Sequence, residues 1–250
     1  MFALFLLVGG FGPLASCGRE PAPEREIVLW AWERPEDLRF LQPGEARVAV
    51  LVATFTLDGE AVRIYGRRQK LELPPGLWPI PVVRIESQQP SLSPAQRQRL
   101  LSELARRADP AAVPALQVDF DAKQSERSFY RQLLQELAAR LGPRAPLSIT
   151  ALASWCLDDR WLEGLPIAEA VPMLFDMGRE GEGLQQRLAG NDFREPLCRG
   201  SYGLASYQPW PPLAAGRKVY LFSRQPWNRE LFAGLAKPLR AKTADRPAEE

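Results

Sequence analysis

From Ile27 onward, short apolar runs alternate with longer stretches whose leucines recur at helical spacing. This alternation restricts the chain to folds assembled from β/α units. The strand-like runs are Ile27–Trp32, Val48–Thr56, Ile80–Glu86, Ala115–Asp121, Leu147–Trp155, Ala170–Phe175, Tyr202–Tyr207 and Val219–Ser223. A further alternating segment, Val62–Leu73, reads as a hairpin or edge element ahead of Pro74-Pro75-Gly76. Ser93-Pro94 is a cap followed by a proline in the first turn, and it opens a helix to about Ala108. Ser125 opens a second, to about Leu141, with Phe129, Leu133, Leu134, Leu137 and Leu141 on one face and Gly142-Pro143 as its stop. Gly183–Leu188 reads as a short helix and Trp227–Leu235 as a closing one.

About eight such units in one chain predict an α/β fold, a (β/α)8 TIM-type barrel, with an irregular first half because the link from the second strand to the third looks extended. A doubly wound open sheet is the alternative. It finds no glycine-rich phosphate loop, since Gly-Arg-Glu-Gly-Glu-Gly at 178–183 does not follow the strand–loop–helix logic of a nucleotide site and reads as a loop. Composition narrows the chemistry. With 46% hydrophobic residues the chain can bury a large core, and 32 Lys plus Arg against 30 Asp plus Glu leave no basic footprint for nucleic acid. There is no histidine, so acid–base work falls to carboxylates, Lys, Tyr or Cys, and no metal or cofactor is expected.

The N-terminus reads as an address. An apolar run, Met1–Val8, leads through glycines and Pro13 to Leu14-Ala15-Ser16-Cys17, which looks like a lipobox, although no Lys or Arg precedes it. The expected organisation is a lipoprotein signal peptide over 1–17 with Cys17 lipidated, a flexible tether over 18–26, one barrel domain over 27–236 and a disordered tail over 237–250. Such a protein sits in the cell envelope, lipid-anchored on the periplasmic side. Gly18, in place of the Asp that often retains lipoproteins at the inner membrane, favours the outer membrane. In that oxidising setting the two remaining cysteines, Cys156 and Cys198, are expected to pair.

Side chains alternate along a strand. In Leu116-Gln117-Val118-Asp119-Phe120-Asp121 the apolar set faces the helices, which turns Gln117, Asp119 and Asp121 to the barrel interior. The third strand repeats the pattern, with Val83 and Ile85 on one face and Arg84 and Glu86 on the other. An inward Arg84 could equally compensate buried Asp119 in a purely structural ion pair. Asp176 closes the sixth strand at the same rim. The catalytic candidates are therefore Asp119, Asp121, Glu86 and Asp176, and the ligand-binding candidates are Arg84, Trp32, Trp155, Asp158, Tyr207 and Trp227. Paired carboxylates at a strand-end rim, ringed by aromatics, suit a sugar. Ser125-Glu126, just past the fourth strand, reads as a helix cap rather than a catalytic group.

Val82–Glu86, Gln117–Ala122, Ser125–Tyr130, Leu147–Cys156 and Glu169–Gly178 together resemble a bacterial family of exported or lipid-anchored proteins, domain-of-unknown-function family 3142. The resemblance spans about Ile27–Gly183 and implies no established activity. The Asp-Phe-Asp strand is also distantly similar to the fourth-strand motif of chitinase-like glycoside hydrolase barrels. Those enzymes carry a longer acidic motif ending in a catalytic Glu, whereas Ala122-Lys123 follows Asp121 here, so that assignment does not transfer. Three functions remain: hydrolysis of an envelope or extracellular polysaccharide by paired carboxylates, non-catalytic glycan binding, or an envelope-assembly role. A monomer is expected, with a glycan and the membrane as partners and no nucleic acid.

Overall fold

The computed structural model describes residues 25–108, 115–143, 145–178 and 180–241. The expected signal segment with Cys17, residues 18–24 of the expected tether and residues 242–250 of the expected tail lie outside the described residues. Eight parallel strands close into a barrel: β1 (Ile27–Ala31), β2 (Arg47–Gly59), β3 (Ile80–Pro90), β4 (Leu116–Asp119), β5 (Leu147–Leu152), β6 (Glu169–Met173), β7 (Ser201–Ala205) and β8 (Lys218–Phe222). Each pairs with the next in chain order, and β1 pairs with both β8 and β2, so no barrel edge remains open.

Helices cover the outer face unevenly. α1 (Pro94–Arg107) follows β3, α2 (Arg127–Leu141) follows β4, the short α3 (Ala153–Leu157) follows β5, α4 (Glu180–Gly190) follows β6 and α5 (Arg229–Ala241) follows β8. No helix follows β1 or β2. A strand at Ala61–Gly66 instead turns back antiparallel on β2, and a two-residue ladder joins Glu36–Asp37 to Leu71–Glu72. β7 also runs to β8 without a helix, so the irregularity reaches the second half.

Local chemistry explains the helix starts. Ser93 Oγ accepts from the Gln96 amide at 3.1 Å, and Pro94 fits a first turn that has no use for its missing N–H. α2 begins later than Ser125. A 3₁₀ turn over Gln124–Glu126 comes first, and the Glu126 carboxylate accepts from the Lys123 amide at 2.8 Å. Gly142, at φ 65°, ends α2 in the left-handed region.

Three expected boundaries are corrected. Arg25 and Glu26 are not tether: the Arg25 guanidinium donates to the carbonyls of Arg217 and Ala214 and fixes the entry to β1. Residues 237–241 are not tail, because buried Leu239 holds the last turn of α5 on the core. The glycines at 178–183 are not all loop, since α4 begins at Glu180.

The barrel interior is filled. Val28, Trp30, Ala49, Ile80, Val82, Val171 and Tyr220 form a core of their own, separate from the larger one under the helices. Trp30 Nε1 donates to Gln117 Oε1 at 2.7 Å, and Gln117 Nε2 donates to Ser148 Oγ at 3.1 Å. The Trp30 ring lies 5.2 Å from that of Tyr220 and closes against Gly203.

Candidate active site at the strand ends

The strand alternation on β3 and β4 delivers its polar residues as the sequence suggests. Leu116, Val118, Phe120, Val83 and Ile85 belong to the helix-side core. Arg84, Asp119 and Asp121 line a cleft of about 740 Å³ at the C-terminal ends of the strands. Trp32, Leu152, Ser154, Asp158, Met173, Phe175, Asp176, Met177, Arg187 and Phe222 complete most of its wall. Phe175 stacks on Phe222 at 5.3 Å, and Trp32 meets the Phe222 edge at 6.2 Å, giving the cleft one aromatic side.

Asp119 forms the floor and is 3% exposed. Thr150 Oγ1 donates to its Oδ1 at 2.6 Å, and Arg84 Nη1 lies 3.5 Å from its Oδ2. Burial, reinforced by the charge of Asp121, pushes its carboxyl up to about 6, although Thr150 and Arg84 pull the other way. The carboxyl of Asp121 is also raised by the protein packed around it, against the pull of Arg84, even though the residue as a whole opens to solvent. Among the described residues the Asp121 carboxylate has no hydrogen-bond or ion-pair partner.

Asp176 differs in kind. Its φ of 52° is left-handed, a conformation Asp tolerates better than most residues. Tyr207 donates to it at 2.7 Å, Gln208 at 3.0 Å, and Arg224 at 3.0 and 3.1 Å. Burial works to raise its carboxyl, but the bonds from Tyr207 and Arg224 outweigh it and hold the group below the usual carboxylate range. Asp158 is likewise held down by Arg187, which reaches both its oxygens at 2.5 and 2.9 Å.

Four expected site residues are placed elsewhere. Trp155 is 1% exposed and packs edge-on against Trp161 at 4.7 Å, because β5 ends at Leu152 and the chain turns into α3, which rotates the ring under the helices. Trp227 is buried too, its indole donating to the Trp30 carbonyl at 2.9 Å and its amide to Glu36 at 2.8 Å. Glu86 is not among the cleft-lining residues and is paired with Arg84 at 2.9 Å. Tyr207 stands behind Asp176 rather than in the cleft. Cys156 and Cys198 are joined by a disulfide between α3 and the turn Pro196–Cys198. Phe175, Phe222, Met177 and Arg187 were not anticipated. Phe222 could have been, since Val219 and Leu221 face the helices and leave Tyr220 and Phe222 inward.

The raised Asp119 makes a testable link to stability. A carboxyl whose folded pKa exceeds its unfolded value keeps its proton more tightly in the folded state, so stability is lost as pH rises from about 4 to about 6, by about 3 kcal/mol in all. In Asp119→Asn that loss should vanish. The variant is expected to gain on the parent by roughly this amount between pH 4 and 7.5 in urea melts. An unchanged difference across that range would contradict the buried-acid description.

Residues 76–170 match a family described as a domain of unknown function (DUF3142). No curated protein matches the chain. Among solved structures, a family GH18 chitinase from Chromobacterium violaceum is similar at TM-score 0.53 and 12% identity, over 94% of this chain and 87% of that one. The Bacillus cereus spore cortex-lytic enzyme SleL gives TM-score 0.45 and 13% identity, over 74% of this chain, which spans 51% of SleL. The chitinase domain of the Clostridium difficile spore coat protein CotE gives TM-score 0.39 and 12% identity, over 67% and 54%. The likeness to the Chromobacterium chitinase is one of fold: a glycoside-hydrolase-like (β/α)8 barrel around the DUF3142 segment.

Proposed function

We propose that this barrel binds a polysaccharide segment in the rim cleft and works by recognition rather than cleavage. One observation carries the reading. Of the cleft carboxylates among the described residues, Asp119, Asp158 and Asp176 are already committed to neighbouring donors, and only Asp121 is unencumbered. A single free carboxylate beside an aromatic wall suits hydroxyl and C–H recognition of a sugar, while glycoside hydrolysis ordinarily asks for two. Lys123 standing two residues past Asp121 points the same way. The test is calorimetry with chitin oligomers and a panel of other polysaccharide fragments, alongside a reducing-end assay. Binding without product supports the reading, and no binding by any fragment rejects it.

Hydrolysis is the second reading, favoured by the opposed environments of Asp121, raised, and Asp176, held ionised. Both line the same cleft, and the hydrolytic reading needs their carboxyl groups roughly 5–9.5 Å apart. On this reading the parent releases product and Asp121→Asn loses about 10²–10⁴-fold in rate while staying folded. Full activity in the variant would remove Asp121 from the role.

We further infer that the protein acts in the cell envelope, lipid-anchored through Cys17. The Leu-Ala-Ser-Cys segment supports this, and so does a disulfide, which persists mainly in oxidising compartments. Cells expressing the full chain should incorporate a palmitate label, and Cys17→Ser should lose the label and move the protein out of the membrane fraction. A labelled Cys17→Ser protein would contradict the anchor.

A further inference from the structure

The cleft does not stop at Asp176. A second hollow of about 760 Å³ lies on its other side, lined by Asp176, Met177, Gly178, Gly181, Gln208, Pro209 and Arg224. Asp176 and Met177 border both hollows, so the two adjoin. Each volume falls in the range of roughly 300–1,000 Å³ that suffices for a complete small-molecule site.

The outer hollow has a built polar edge. The Arg224 guanidinium lies 4.1 Å from the Tyr207 ring centre, and both side chains bond Asp176, which places the guanidinium on the edge of the hollow. Gln208 is fixed in the same way, since its amide nitrogen donates to Asp176 while its oxygen accepts from the Asp176 amide at 3.1 Å. A guanidinium plane offers a flat surface and spare N–H donors together, which is what a sugar ring with equatorial hydroxyls can use. Gly178 lines the same hollow and a β-carbon there would meet nothing within 4 Å, whereas one at Gly181 would press on Met177 at 3.3 Å.

We propose that the outer hollow is a second sugar subsite, and that the ligand is an extended, neutral polysaccharide chain crossing the Asp176–Met177 divide. This rests on the glycan reading of the inner cleft and adds the length and path of the ligand. Asp176 cancels the charge of Arg224, which is why a neutral chain rather than a polyanion is named.

Chitin oligomers of increasing length provide the test. Affinity is expected to rise about tenfold or more once the oligomer is long enough to reach both hollows, the scale of one or two added hydrogen bonds to a charged group. In Gln208→Ala and Arg224→Ala the ratio of long-oligomer to short-oligomer affinity should fall toward one, whatever happens to the absolute values. Short oligomers that bind as tightly as long ones overturn the subsite and leave the glycan reading intact. Binding by no length overturns the subsite, and the glycan reading falls with it only when the wider panel of polysaccharide fragments also fails to bind. A length effect that survives both substitutions overturns the assignment of the outer hollow.

Discussion

Gly203→Ala is expected to lower the unfolding free energy by about 1–3 kcal/mol, the usual cost of forcing a methyl group into a filled core. A β-carbon at this position would sit 2.9 Å from the Trp30 ring, 3.1 Å from the Pro172 carbonyl oxygen and 3.3 Å from the Met173 α-carbon. Two of those three neighbours are backbone of the adjoining strand β6 and cannot turn aside. The third is an indole wedged against Tyr220 and tied to Gln117. Relief must come from shifting Trp30 or parting β6 from β7. Urea unfolding followed by far-ultraviolet circular dichroism reads the loss. Trp30→Phe in the alanine background should restore part of it, with a coupling of at least about 0.5 kcal/mol. A Gly203→Ala protein as stable as the parent would mean that the Trp30 ring does not fill the barrel as described.

Opening the disulfide should cost more. Cys156 and Cys198 are 42 residues apart, and closing a loop of that length in the unfolded chain is worth about 4 kcal/mol on the chain-entropy account. Both cysteines are fully buried, so Cys156→Ser with Cys198→Ser also places two hydroxyls in apolar surroundings. Alanine at both positions is the cleaner comparison. The double alanine variant is expected to unfold at a clearly lower urea concentration, and reductant should shift the parent but not the variant. Equal midpoints for parent and variant would show that the cross-link constrains nothing the fold does not already hold. The loop it spans carries β6, Asp176 and α4, so loosening it should weaken ligand binding as well as stability.

The sequence made some of this legible and hid the rest for identifiable reasons. Strict two-residue alternation on β3 and β4 assigned Arg84, Asp119 and Asp121 to the inner face, because a strand allows only two faces. The same rule failed at Trp155. The apolar run Leu147–Trp155 reads as one strand, yet the chain bends into α3 after Leu152, and periodicity over so few residues cannot separate the two. Trp227 lies between β8 and α5, where no period applies and tertiary packing alone decides. Gly183–Leu188 reads as a short helix in the sequence, but the glycines at 178–183 conceal that α4 starts at Glu180, and nothing in that pattern turns Arg187 toward the cleft. Asp176 was recognised as a rim residue, but its partners come from the ends of β7 and β8, 31 to 48 positions away, a distance no local pattern bridges.

The plug formed by Trp30, Gln117 and Ser148 has a directional result. It seals the barrel along its axis, so a molecule that enters at the rim must leave by the rim. Arg25 enters beside the start of β8, and the last turn of α5 returns to the start of β2, where Arg240 donates to the Glu45 carbonyl. Both ends of the domain therefore emerge on the sealed floor. If the proposed lipid anchor holds, the open mouth faces away from the bilayer.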